Sequence, residues 1–209
     1  MKFGNKYRLV HAFLVIALVV ACWPSRAGAE DGAMATAQSL VNQAVRILAD
    51  KTTPQATRAQ QLRDLIAPVF DFTEMSRSAL GFHWRSLSPA QRADFTQTFT
   101  GFIEAAYGSK IGDYRGQQVE FIKQTSLGDG YAQVFSRIIQ PGGRAPVPVN
   151  YLVERKDGQW KIYDVTVDDI SIIANYRTQF NRVINDKGFD KLLADLKAKQ
   201  QQLSQASGA

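Results

Sequence analysis

Apolar residues in the first half of the chain recur every three or four positions, the spacing that paints one side of an α-helix. Leu40, Val41, Ala44, Val45 and Leu48 form the first such stripe, within Ala37 to Leu48. Thr53-Pro54 then offers an N-cap and a first-turn proline for a helix carrying Leu62, Leu65 and Ile66. Asp71 and Glu74 have capping-box spacing, and the short helix behind them should stop near Gly81. Ser88-Pro89-Ala90-Gln91 repeats the start signal ahead of Phe95, Phe99, Phe102, Ile103, Ala106 and Tyr107, an unusually aromatic face on a helix of about five turns.

After Gly116 the period changes to two. Val119 and Phe121, the alternating run Tyr131 to Ile138, Val147 to Val153 and Trp160 to Val167 read as four strands. Gly128-Asp129-Gly130, Pro141-Gly142-Gly143 and Asp157-Gly158 are hairpin signals, so neighbouring strands should pair antiparallel as a meander. From Asp169 the helical period returns with Ile172, Ile173, Tyr176, Phe180, Val183 and Ile184. Gly188 breaks that stripe, and a last helix carries Phe189, Leu192, Leu193 and Leu196. The pattern predicts an α+β fold in which N-terminal and C-terminal helices cover a four-stranded antiparallel meander. Residues 30–200 should form one domain, and the Gln-, Ser- and Gly-rich residues 201–209 a flexible tail.

The opening 29 residues fit neither period. Lys2, Lys6 and Arg8 precede an apolar run from Leu9 to Ala21, and Ala27-Gly28-Ala29 supplies a small-x-small cleavage site, the pattern of a secretory signal peptide. Thirteen helical residues rise only about 20 Å, too short for a hydrocarbon core of roughly 30 Å. Acylation at Cys22, as in a lipoprotein, is the alternative, whereas cleavage after Ala29 removes the one cysteine and suits an oxidising periplasm. Charge changes its meaning with the leader gone: the whole chain is +6, but Lys2, Lys6, Arg8 and Arg26 lie in the leader while all 19 acidic residues follow it. Near-balance without a basic stripe leaves a nucleic-acid footprint unsupported.

Reactive chemistry is sparse. With His83 the sole histidine after the leader and no cysteine, zinc ligation by the usual nitrogen and sulfur set is excluded, and no cofactor motif occurs. Asp164, Asp168 and Asp169 do not follow a calcium loop and are read as caps for the next helix. His83 has no nucleophile elbow to serve and is read as structural. A cavity enzyme using Asp164 and Tyr163 is the competing reading, weakened because adjacent strand residues face opposite sides.

The run Asp71-Phe72-x-x-Met75-Ser76-Arg77-x-x-Leu80-Gly81, followed by Trp84-Arg85 and Ser88-x-x-Gln91-Arg92, resembles the MlaC family of lipid-binding components of bacterial ABC transport systems, also called toluene-tolerance auxiliary proteins. Gly158-x-Trp160-Lys161-x-Tyr163-Asp164-Val165-x-Val167 and Asn175-Tyr176-Arg177-x-Gln179-Phe180 extend the likeness, which runs from about Leu40 to Leu196. One departure is Asp169, where the family often has glycine. The resemblance implies an NTF2-like cradle around an apolar cavity, a periplasmic carrier of phospholipid or, in a related branch, hopanoid, and no enzymatic activity. Its implied partners are an outer-membrane lipoprotein complex and an inner-membrane ABC transporter with an MCE-domain component.

Such a carrier needs an apolar interior, because moving a sixteen-carbon chain into water costs on the order of 12 kcal/mol. Candidate lining residues are Phe99, Ile103 and Tyr107 on the aromatic helix, facing Phe121, Phe135, Val149, Tyr151, Val165 and Val167 on the strands, with Ile173, Tyr176 and Phe180 closing the side. Each of these also serves as ordinary core packing in any α+β domain. Arg177 either reaches a phosphate at the cavity mouth or pairs with an aspartate such as Asp164 to hold the last helices on the sheet; a buried arginine is normally paired, which favours the second role.

Overall fold

The computed structural model describes residues 27–108 and 114–207; of the leader assigned to residues 1–29, all but the last three lie outside them. The element order is α1 (Ala27–Ala49), α2 (Gln55–Ile66), α3 (Phe72–Leu80), a 3-10 turn over Gly81–Ser86, α4 (Pro89–Gly108), β1 (Gln118–Gly128), β2 (Tyr131–Ile139), β3 (Val147–Lys156), β4 (Gln159–Val167), β5 (Ile170–Ser171), α5 (Ile172–Lys187) and α6 (Phe189–Ser207). The strands form one antiparallel sheet in sequence order.

The meander thus has a fifth strand. Two residues long, it pairs Thr166 with Ser171 and Val167 with Ile170. The link is Asp168-Asp169, with φ of 52° and 62°. Positive φ at both central residues is the primed hairpin turn that matches strand twist. These two aspartates therefore make a turn and do not cap α5, whose N-cap is Ser171, accepting from the Ala174 N–H at 2.9 Å. Asp164 does serve that helix: its carboxylate accepts from the Ile173 N–H at 3.2 Å, the Ser171 hydroxyl at 2.5 Å and the Val165 N–H at 2.8 Å.

Cap chemistry sets the other helix starts. Asp71 accepts from the Glu74 N–H at 2.9 Å. Ser88 and Gln91 bond reciprocally, side chain to backbone, at 2.9 and 3.2 Å, a complete capping box. At α2 the expected Thr53 cap is replaced. Pro54 is the N-cap, with no side-chain bond, and the Thr52 and Thr53 hydroxyls instead donate to Asp50 at 2.6 Å. Those bonds hold the Asp50 carboxyl well below its ordinary value. α6 runs on to Ser207 where the composition predicts a flexible tail. Just before that segment the helix packs closely: Gln200 lies over Gly101 of α4, so near that a Cβ at Gly101 would sit 2.2 Å from its amide nitrogen.

Two hydrophobic cores result. In the sheet core, α1 lies across one face of the strands through Ala33, Ala37 and Leu40, which cover Ala132, Val134, Val149, Tyr151, Val153 and Ile162. Small residues permit the close approach: a Cβ at Gly32 would stand 2.9 Å from the Trp160 ring. In the helical core, α3, α4, α5 and α6 enclose Met75, Leu80, Phe95, Phe99, Ile173, Phe180, Leu192 and Leu196. Phe70 touches both. Its segment is bound to the sheet, with Asp71 N–H donating to Ile162 O and Ile162 N–H to Val69 O, each at 2.9 Å.

Candidate functional site

The two cores do not meet everywhere. Where α2, the start of α3 and the last turns of α4 face β4, they leave a cavity of about 330 Å³. That is the low end of the roughly 300–1,000 Å³ usual for ligand pockets. Its wall comes from Ala59, Leu62, Arg63 and Ile66 on α2, Phe70, Phe72 and Met75 around the start of α3, Ile103, Glu104 and Tyr107 on α4, Val165 and Val167 on β4, and Ile172 opening α5. Leu62 and Met75 are buried at its base, whereas Tyr107 and Val167 are 46% and 39% exposed and mark the mouth.

Four of the sequence candidates line this space: Ile103, Tyr107, Val165 and Val167. The others lie elsewhere. Phe99, Ile173 and Phe180 are buried in the helical core, with Tyr176 packed against them. Phe99 meets Tyr176 and Phe180 edge to face, each at 5.4 Å between centroids, which fills the volume that these residues were expected to leave open. Val149 and Tyr151 are covered in the sheet core, Phe121 stacking on Tyr151 at 6.3 Å. Phe135 belongs to the opposite face of the sheet. It pairs with Asn150 while Val134 pairs with Tyr151, and period-two alternation separates the two sets. The Lys123 ammonium caps its ring at 4.9 Å.

Sequence reading passed over the α2 and α3 part of the wall. Leu62, Ile66, Phe70, Phe72, Met75 and Ile172 were legible as apolar, but periodicity says which face is turned inward and not whether a neighbour fills it. The available signal was charge: Arg63 and Glu104 each interrupt a stripe that is otherwise apolar.

Electrostatics follow the burial. Burial raises the Glu104 carboxyl above its ordinary value, opposed by the positive charge of Arg63. Burial, and then neighbouring Tyr107, push the Tyr176 hydroxyl well up where the aromatic core adjoins the cavity wall. The Tyr151 hydroxyl is pushed up to about 12 by burial.

The polar residues singled out earlier are structural here. Arg177 does not pair with Asp164; its Nε donates to the Ser78 carbonyl at 2.6 Å, tying α5 to α3. His83 Nε2 and Asn181 Oδ1 are 2.9 Å apart, which ties the 3-10 turn to α5. Neither Asp164 nor Tyr163 is on the cavity wall. Among the described residues no group of three His, Cys, Asp or Glu side chains is placed to hold a metal ion, and no helix is long and apolar enough to cross a membrane.

The fold has a solved counterpart in a phospholipid-binding protein from Ralstonia solanacearum determined in complex with a phospholipid, 25% identical, with a TM-score of 0.74 over 82% of this chain and 98% of that one. In sequence the chain is 28% identical over 149 residues to the intermembrane phospholipid transport system binding protein MlaC of Haemophilus influenzae, covering 70% of this chain and 69% of that protein. It is 26% identical over 130 residues to the toluene tolerance protein ttg2D of Pseudomonas putida, covering 62% of this chain and 60% of that protein. The MlaC protein family model matches residues 38–198, from the middle of α1 to the middle of α6, and the chain belongs to that family.

Proposed function

We propose that this protein is a periplasmic phospholipid carrier that takes acyl chains into the cavity between its two cores and moves them between membranes. The observation that carries the reading is a preformed cavity walled, among the described residues, almost entirely by hydrocarbon and reaching solvent beside the exposed Tyr107 and Val167. Each methylene moved from water into it gains about 0.8 kcal/mol, which offsets the cost of lifting a lipid from a bilayer. Among the described residues, the buried side chains Leu62 and Met75 on the wall offer no charge to trap the cargo, so release needs no ion pair with them to break. In this reading the protein receives lipid from, or delivers it to, an outer-membrane lipoprotein complex on one side and an inner-membrane ABC transporter with an MCE-domain component on the other. It performs no chemistry on its cargo.

Native mass spectrometry and lipid extraction of the exported protein purified from cells test the proposal, and the same extraction separates phospholipid from hopanoid. Phospholipid should accompany the protein in near-stoichiometric amount. Protein that leaves the cell empty and takes up no lipid from vesicles would overturn the reading.

A further inference from the structure

Among the described residues, the cavity wall carries charge at two positions. Arg63 on α2 and Glu104 on α4 are its charged residues, both half-buried and set on facing helices. Arg63 is held in place: its Nε and Nη2 both donate to Gln60 Oε1, at 3.1 and 2.5 Å, and Gln60 in turn donates to Asp64 at 2.8 Å. A guanidinium carries five N–H donors in a fixed fork, so this anchoring orients the group and leaves donors free for an incoming acceptor. Glu104 stands across the cavity, and among the described residues no donor reaches its carboxylate and no ion pair joins it to Arg63. The two charges are close enough for Arg63 to act on the Glu104 carboxyl through the cavity, yet they do not neutralise each other by contact.

An anchored positive group and an unpartnered negative group, both on the wall of one apolar cavity, complement a ligand with the reverse arrangement on a short stem. A net-anionic head would satisfy Arg63 and be repelled by Glu104. A head bearing both a phosphate and a primary ammonium satisfies both, and the ammonium supplies the donor that Glu104 lacks. We propose that Arg63 and Glu104 form a head-group subsite at the cavity mouth that selects zwitterionic phosphoethanolamine lipids, with the phosphate on Arg63 and the ammonium on Glu104. This rests on the lipid-carrier reading and adds the head-group class to it.

The test is capture from vesicles containing equal amounts of phosphatidylethanolamine and phosphatidylglycerol. Delipidated exported protein is incubated with them and re-isolated, and both lipids bound to it are quantified. The ratio is internal to the captured lipid, so it does not depend on how much of a variant is folded. Wild type should carry phosphatidylethanolamine enriched about threefold over the vesicle ratio, the size expected of a half-exposed charge pair. Glu104→Gln should bring the ratio close to one, and Glu104→Lys should invert it towards phosphatidylglycerol. Arg63→Gln should lower capture of both lipids about threefold, because the phosphate is common to them. If wild type captures lipid at the vesicle ratio, or if neither Glu104 variant moves the ratio, the head-group subsite is overturned while the carrier reading stands. If wild type captures no lipid at all, the carrier reading itself fails.

Discussion

The helical core and the sheet core are filled by different means, and the cavity is what lies between those two solutions. Among the helices, large rings interlock: Phe95 and Phe99 are fully buried, and Phe95 meets Phe180 edge to face at 5.9 Å. Against the sheet the residues are small or β-branched, with Ala33, Ala37, Val134, Val153 and Ile162 all fully excluded from water so that α1 can lie close. Each core is complete, and each therefore fixes the elements that belong to it. β4 is fixed by the sheet and α4 by the helices, and Val165 and Ile103 line the cavity left between them. A stable void needs rigid walls on both sides, and hydrophobic composition alone does not produce one.

The strongest way to break this contrast is to compare Phe99→Ala with Ile103→Trp, one helical turn apart on α4. Phe99 is surrounded, so truncation should cost about 3–5 kcal/mol in urea denaturation. Ile103 borders empty space, so the larger ring should enter the cavity with a stability change within about 1 kcal/mol while bound lipid falls severalfold on extraction. Equal losses of stability in the two variants would mean that no void separates the cores.

A smaller effect probes the seam. Asp71 starts α3 on the helical side, takes the ammonium of Lys156 from β3, and donates its own N–H to Ile162 of β4. Burial works against its charge, but Lys156 and the Glu74 N–H outweigh it and hold the carboxyl below the ordinary carboxylate value. A depressed value in the folded state contributes stability above the unfolded pKa of about 4, which is lost as pH falls through the folded value. Asp71→Ala should therefore cost about 1–2 kcal/mol at neutral pH, chiefly the lost cap, with the gap to wild type closing in acid. Lys156→Ala should cost less, since its side chain is 49% exposed and solvent screens the pair. Denaturation curves at pH 7 and pH 3 measure both, and a gap that widened in acid would reverse the assignment.

Much of the framework was legible because local chemistry and global fold agree. The Asp71/Glu74 and Ser88/Gln91 pairs mark helix starts that the structure keeps. Turn residues placed the four long strands. A smaller part of the cavity wall was legible, through Ile103, Tyr107, Val165 and Val167, because those positions lie on apolar faces. Phe99 and Phe180 misled for a physical reason: an aromatic side chain is both what a greasy ligand would favour and what best fills a core, and pattern cannot separate the two. Phe135 misled differently, since one step along a strand changes the face.

The mildest expected effect concerns the handover from sheet to helices. Asp169 adopts φ of 62°, in the left-handed region where an L-residue with a Cβ is strained, beside a second such residue at Asp168. Glycine, which the family resemblance leads one to expect there, removes that strain but gives the unfolded chain more freedom, so the two contributions largely cancel. Asp169→Gly should thus raise stability by only about 0.5 kcal/mol and leave the Asp164 to Ser171 bond intact, since neither partner is touched. Thermal unfolding measures the gain. A loss of more than about 1 kcal/mol would mean that the Asp169 carboxylate helps to seat β5 against β4, and that this short strand, like Phe70, joins the two halves of the molecule.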